Sequence, residues 1–321
     1  MTISPIKFGI IGLGRIANRF ATVLTGETVK NAELTAVAAN DLSRAVEFGA
    51  KHGAKITYDN YEGLSKNNDI DIVYIANAND MHFETIKLCL NNGKAVLCEK
   101  PMVMTKKDAV ELTSLAKEKN LFLMEAMWTR FLPVYRKAVE WIANGKIGEL
   151  KLIETSFCFG GEENSENRLY NPNLGGGAIY DVGVYSIEFI TGFLGKPKAV
   201  SGYTLKAGTG VDSLAVFNME FDKDVLAQAR CSLSISAGVT ASIYGSKGSI
   251  KFGDRFYCAK SCERFDGNCN LAEKFEAEDI DGFTYQIRHV IKMLSEGKKE
   301  SDIMPVQDTV DCAEIFEILL K

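Results

Sequence analysis

The chain reads as a doubly wound, parallel α/β sheet followed by an α+β unit built on a large, mainly antiparallel open sheet. Three observations predict this. From Ile6 to about Met124, short apolar runs alternate with amphipathic stretches, the rhythm of βαβ units. A glycine-punctuated turn stands directly behind the first of those runs. Beyond the segment "FLPVYRKAVEWIANGKIGELK" the apolar pattern changes to period two. At 321 residues and 46% hydrophobic, the chain suits about two domains of ~150 residues, each able to bury a core. The boundary is expected at 124/125. A last helix, over about 306–321, is expected to pack back on the first domain.

In the first domain, strands are expected over 7–11, 33–39, 72–76, 95–98 and 121–124. One helix begins near Met81, carries Phe83, Ile86 and Leu90 at helical spacing, and stops at Gly93. Another follows Thr105, which with Asp108 resembles a capping box, and buries Ala109, Leu112 and Leu115. In the second domain a helix runs to Asn144. Strands are expected over 151–159, 199–205, 214–221, 225–235 and 240–244, and "GSKGSIKF" turns into one more. The glycine-rich stretch "NLGGGAIYDVGVYSIEFITGFLG" enters a helix ending near Leu194.

Charge and composition exclude several classes. A net charge of -5 with 25% charged residues gives no broad basic surface for nucleic acid or anionic lipid. No apolar run reaches the ~18 residues of a membrane span. The opening segment makes a poor signal peptide, because Arg15, Asn18 and Arg19 follow its short apolar stretch. A cytoplasmic protein is expected. Among eight cysteines only Cys258, Cys262 and Cys269 are bunched, and the three histidines are distant in sequence. Free thiols and no metal are expected.

Gly12, Gly14 and Ala17 form G-x-G-x-x-A behind the first strand. In a dinucleotide-binding turn the first glycine permits the tight turn and the second lets backbone approach the pyrophosphate. The third small residue lets the helix pack on the sheet. A Rossmann-type domain with a phosphate cradle is expected. The residue at the end of the second strand reads the ribose. If Ala39 takes that place, a 2'-phosphate is tolerated, with Ser43 and Arg44 as donors and NADP as cofactor. A register two residues on puts Asp41 there and favours NAD. On a third reading Asp41 only caps the next helix.

"VLCEKPMVMT" sets Glu99, Lys100 and Pro101 at a strand's C-terminal end, where open α/β sheets bind ligands. With the glycine turn, "NANDMHFETIKLCLNNGKAVLCEKP", "EAMWTRFLP" and "GGGAIYDVGVY", the chain resembles the Gfo/Idh/MocA oxidoreductases over most of its length. The branch of dimeric trans-dihydrodiol and xylose dehydrogenases is the most similar. The resemblance implies NADP, although that branch often has an arginine where this chain has Asn40. It implies a catalytic lysine at Lys100 and an acid/base at Tyr185, with Asp181 one turn before. It implies cofactor contacts from Gly12, Gly14, Arg15, Ile16, Asn40, Ser43, Arg44, Asn77, Asn79, His82, Glu99, Lys100, Trp128 and Arg130. Trp128, Phe157 and Tyr185 would line the substrate, a sugar, polyol or diol, and a homodimer or dimer of dimers would form through the second sheet.

The chemistry agrees with the residue types. Residues at i and i+4 share a helix face, and a tyrosine becomes a base near neutral pH only when a cation stabilises its phenolate. Lys100 supplies that cation, Tyr185 exchanges the proton and Asp181 fixes the geometry. Plainer readings stand beside these. Lys100 is a surface lysine, Tyr185, Trp128 and Phe157 are core aromatics, and His82 is a helix N-terminal residue. Two other functions also fit: an NAD enzyme working by transient oxidation with retained cofactor, and a non-catalytic dinucleotide sensor. Substrate choice is expected to rest on "EENSENRLY", residues 162–170.

Overall fold

A computed structural model describes residues 4–321. The chain forms two compact units: the segment up to Ala126 with Ile280–Val310, and Met127–Asp279 with Asp311–Lys321.

The first unit holds six parallel strands: β1 (Ile6–Ile11), β2 (Ala32–Ala38), β3 (Ile56–Tyr58), β4 (Ile72–Ile75), β5 (Ala95–Cys98) and β6 (Leu123–Glu125). Their order is β3-β2-β1-β4-β5-β6, so the strand order reverses at β1/β4, the switch point where such sheets take ligands. Every residue of β4 and β5 is buried, as expected for a parallel sheet covered on both faces. The connecting helices are α1 (Arg15–Leu24), α2 (Leu42–His52), α3 (Tyr61–Ser65), α4 (His82–Asn91) and α5 (Lys106–Glu118). Thr105 does cap α5, its hydroxyl accepting the Asp108 N–H at 3.1 Å. Gly93, at φ +75°, stands just beyond α4. The stripe that α4 buries is His82, Thr85, Ile86, Cys89 and Leu90, with Phe83 only half-buried.

The expected domain division needs correction. The segment that returns to the first unit is Ile280–Val310, with helix α8 (Phe283–Ser295). Phe283 packs edge-on against Phe20 at 5.8 Å, Arg19 pairs with Asp281 at 2.7 Å, and Arg288 donates twice to the Thr28 carbonyl. The last helix, α9 (Val306–Leu319), groups with the first unit only to Val310. Beyond that, Phe316 meets Tyr180 edge-on at 5.2 Å and Lys196 binds Asp311 and Glu314 within the second unit.

The second unit contains α6 (Pro133–Ala143), α7 (Val184–Leu194) and the strands β7 (Leu150–Cys158), β8 (Ala199–Lys206), β9 (Asp212–Phe221), β10 (Val225–Ser232), β11 (Gly238–Gly245), β12 (Gly248–Phe252), β13 (Ser261–Asp266) and β14 (Leu271–Glu276). Their order is β14-β13-β12-β11-β7-β10-β9-β8, with β7 and β10 the one parallel pair. One face buries Ala215, Phe217, Met219, Ala227 and Ala229; on the other Tyr203 is 88% exposed, with Leu205, Val216 and Leu226 exposed near it. Among the described residues no helix is long and apolar enough to cross a membrane.

Candidate active site

The expected site residues fall into two groups, one on each unit. On the first unit the β1–α1 turn has the geometry its glycines predict. Gly12 has φ +84°, and a Cβ there would lie 2.3 Å from the Asn77 backbone nitrogen, so only glycine fits. A Cβ on Gly14 would meet nothing within 4 Å. Gly14 opens α1 with no side-chain cap, which leaves the first helical N–H groups facing that open space. Ala17 is wholly buried, while Arg15 is exposed and Ile16 half-buried. This open, uncapped turn fits a dinucleotide pyrophosphate, whose charge the helix terminus would favour.

At the end of β2, Asn40, Asp41, Ser43 and Arg44 are all exposed. Asp41 caps α2, accepting the Ser43 N–H at 2.8 Å and the Ser43 hydroxyl at 2.7 Å. Those two bonds hold its carboxyl below the usual aspartate range. The hydroxyl of Ser43, expected to donate to a 2'-phosphate, is here turned to Asp41, because capping unpaired helix N–H groups is a local and strong demand. Tyr61 went unnoticed in the sequence. Burial raises its phenol, opposed by a hydrogen bond from Asn77 and the charge of Arg44, so it stands among the expected cofactor residues.

At the ends of β4 and β5 the polar groups brace one another. Asn77 donates to Thr85 at 2.9 Å, and its Oδ1 is buried with no hydrogen-bond partner among the described residues. Asn79 is buried. His82 is wholly buried and its Nδ1–H donates to the Pro101 carbonyl at 2.9 Å. Burial pushes its imidazole below the usual range. Glu99 accepts from the Tyr74 hydroxyl at 2.6 Å and the Lys100 N–H at 3.3 Å, and burial raises its carboxyl. The Met102 N–H binds Glu125, which also accepts from Thr309. The turn that carries the half-buried Lys100 is thus held by Tyr74, His82 and Glu125. His82 and Glu99 serve here as its supports.

On the second unit, Asp181 and Tyr185 are half-buried, whereas Val182–Val184 between them and the five residues after Tyr185 are buried. The helical stretch is not regular. Residues Ile179–Gly183 form a π turn before α7 begins, a feature frequent at functional sites. The simple i, i+4 spacing on one α-helix is therefore replaced by a wider turn. Asp212 anchors it, its Oδ2 accepting the Ile179 N–H at 2.7 Å, and a Cβ on Gly177 would lie 2.2 Å from its Oδ1. The glycine triplet is needed for this close packing. Arg168, not anticipated, donates to Asp181 at 2.9 Å.

Aromatic rings surround Tyr185. Phe157 lies 5.5 Å and Tyr257 5.3 Å from it, Phe157 stacks on Tyr257 at 4.7 Å, and Trp128 tilts toward Tyr257 at 6.2 Å. Thr129 ties the cluster by donating to the Tyr257 carbonyl. Tyr257 is a further residue that the sequence did not signal. Arg130, expected to contact the cofactor, is only 1% exposed. Its guanidinium is bound to the Glu188 carboxylate at 2.5 Å, the Glu188 carbonyl at 2.8 Å and Thr191 at 2.9 Å. A charge this deep requires an internal partner, so Arg130 is corrected to a structural role. All eight cysteines are free, and among the described residues no group of three or more His, Cys, Asp or Glu is arranged to hold a metal.

Comparison with known proteins gives consistent results. Residues 6–127 match the family model of the oxidoreductase family with an NAD-binding Rossmann fold, and residues 135–251 match the GFO/IDH/MocA C-terminal domain. The trans-1,2-dihydrobenzene-1,2-diol dehydrogenase of Bos taurus is 32% identical over 98% of this chain and 96% of its own length. The same-named protein of Homo sapiens is 30% identical, again over 98% and 96%. A 3-ketoreductase from Actinomadura kijaniata, solved with NADP and TDP-benzene, superposes with a TM-score of 0.86 at 25% identity, covering 98% of this chain and 97% of that one.

Proposed function

The chain belongs to the Gfo/Idh/MocA family of NAD(P)-binding oxidoreductases, and from that premise we propose that it is an NADP-linked dehydrogenase of a carbohydrate, polyol or small diol. The observation that carries this reading is Tyr185, a half-buried tyrosine four residues after Asp181 on an otherwise buried helix entry, with the rings of Phe157 and Tyr257 beside it. NADP, when bound, exchanges the hydride. Gly12, Gly14, Arg15 and Ile16 would hold its pyrophosphate side, Asn40 and Arg44 the ribose phosphate, and Asn77 and Asn79 the far end. The substrate O–H proton passes to the phenolate of Tyr185, which Lys100 stabilises while it orients the substrate oxygen. Asp181 orients the tyrosine segment, while Trp128, Phe157 and Tyr257 exclude water from the reacting carbon.

The names of the relatives, a diol dehydrogenase and a ketoreductase solved with NADP, support both the substrate class and the cofactor. Arg44 is the exposed cation at the end of β2, which favours a 2'-phosphate. The cytoplasm is the proposed compartment, and free thiols are compatible with it. The exposed Tyr203, Leu205, Val216 and Leu226 make the second sheet the proposed homodimer face; a sedimentation run showing only monomer at micromolar protein would remove that part.

The central test is oxidation of trans-1,2-dihydrobenzene-1,2-diol and of a sugar panel with NADP+. Tyr185→Phe is expected to abolish turnover while NADPH binding, read by nicotinamide fluorescence, stays unchanged. Normal turnover by Tyr185→Phe refutes the assignment. Arg44→Gln is expected to weaken NADPH by roughly tenfold and leave NADH untouched; a wild-type preference for NADH would move the cofactor to NAD.

A further inference from the structure

We propose that Arg168 is a positioning residue for the proton-handling segment: it holds Asp181 ionised and oriented, and through that carboxylate sets the proton affinity of Tyr185. The inference rests on the assignment of Tyr185 above. The pair joins one Arg168 nitrogen to Asp181 Oδ1 at 2.9 Å, with side chains 44% and 16% exposed. An ion pair between two flexible surface chains contributes little. Here both backbones are fixed.

On the arginine side, Asn167 caps the short turn by accepting the Leu169 N–H at 3.0 Å. The buried Tyr170 hydroxyl donates to the Leu233 carbonyl at 2.9 Å. The N–H groups of Gly176 and Gly177 bind the carbonyls of Asn171 and Leu169 at 3.0 and 2.9 Å. A Cβ on Gly176 would lie within 2.8 Å of the carbonyl oxygens of Arg168, Leu169 and Asn171. On the aspartate side, Asp212 fixes the start of the π turn through Ile179. The guanidinium is therefore delivered to the carboxylate by a turn that can occupy little other space.

Within the second unit, the groups described near Tyr185 differ in how firmly their charge is fixed, and Arg168–Asp181 is an ion pair among them. Glu188, the carboxylate on α7, is neutralised by Arg130. Cys231, beside Gly183, has its thiol pushed far up by burial and is uncharged at neutral pH. The Tyr257 ring lies 5.3 Å from that of Tyr185. Asp212 is engaged by backbone N–H groups at the helix entry. A negative Asp181 without Arg168 would oppose formation of the phenolate four residues along; Arg168 without Asp181 would favour it.

The test is a titration of Tyr185 by tyrosine 13Cζ NMR in the full-length protein, its resonance assigned by loss in Tyr185→Phe. Relative to wild type, Arg168→Gln is expected to raise the midpoint by roughly 0.5–1 pH unit and Asp181→Asn to lower it, with the double variant returning close to wild type. A loss of packing alone would not produce shifts of opposite sign. An unchanged midpoint in folded Arg168→Gln, or shifts of the same sign in both single variants, overturns the proposal. If Arg168→Gln does not fold, Asp181→Asn decides alone, and a midpoint that rises or stays overturns it. Turnover of the diol by Tyr185→Phe separates the two claims. Activity there sinks the tyrosine role itself, whereas an inactive Tyr185→Phe with a flat Arg168→Gln titration sinks only the role of Arg168.

Discussion

Gly12 and Gly14 stand two residues apart in one turn, yet the structure assigns them opposite failures. Alanine at position 12 must adopt φ +84° and place a methyl 2.3 Å from a backbone nitrogen. The left-handed conformation costs about 1–2 kcal/mol, and forcing the turn away from Asn77 costs about 1–3 more. For a unit of this size the melting temperature should fall by roughly 5–15 °C. Alanine at position 14 keeps an ordinary φ of -84° and meets no protein atom, so stability should change by less than about 1 kcal/mol. Its methyl instead fills the space in front of the α1 N–H groups, and NADPH should bind roughly 100-fold more weakly, about 2.8 kcal/mol. Thermal melting without ligand and nicotinamide fluorescence titration read the two effects separately. Wild-type NADPH affinity in Gly14→Ala, or a wild-type melt in Gly12→Ala, would refute the reasoning.

Two further outcomes follow from buried charge. Glu188→Ala strands the Arg130 guanidinium in the interior and should cost about 3–5 kcal/mol by chemical denaturation; a loss under about 1 kcal/mol would mean that the arginine finds water. His82, depressed below 6.5 by burial, binds a proton when unfolded that it refuses when folded. Its contribution to stability is present above the unfolded pKa and is lost as pH falls through that value toward the folded one, with a slope of at most about 1.4 kcal/mol per pH unit. Comparing wild type with His82→Gln between pH 7.5 and 5.5 should show that slope reduced in the variant, and an equal slope would argue against a neutral buried imidazole.

What the sequence made legible was what local pattern encodes. The four-residue β5 is found at its expected bounds because Ala95–Cys98 is an unbroken apolar run. The glycine turn and the Glu99–Pro101 segment lie at strand ends as expected. The three-residue β3 and five-residue α3 were missed because neither is long enough to show a period. Strands β13 and β14 were missed because their residues are mostly polar and only partly covered, so no alternation marks them. The placement of α8 depends on Arg19 and Phe20, more than 250 residues away. Arg130 looked like a site residue for want of its partner, which lies 58 positions on. Arg168 and Tyr257 sit in irregular segments, where only three-dimensional proximity identifies them.

The locked turn at Tyr170–Gly177 also separates two kinds of evolutionary freedom. Ahead of it, residues 161–166 are all exposed; the turn itself is tied to Leu233 through Tyr170, and behind it the segment of Asp181 and Tyr185 starts at Ile179, anchored by Asp212. If that stretch lines the substrate, as the sequence leads one to expect, drift or insertions before the turn would alter which molecules the protein accepts, while the anchor shields Tyr185 from those changes. On the proposed function, a new specificity can thus arise by rewriting the six exposed residues 161–166, without touching Arg168 or the chemistry behind it.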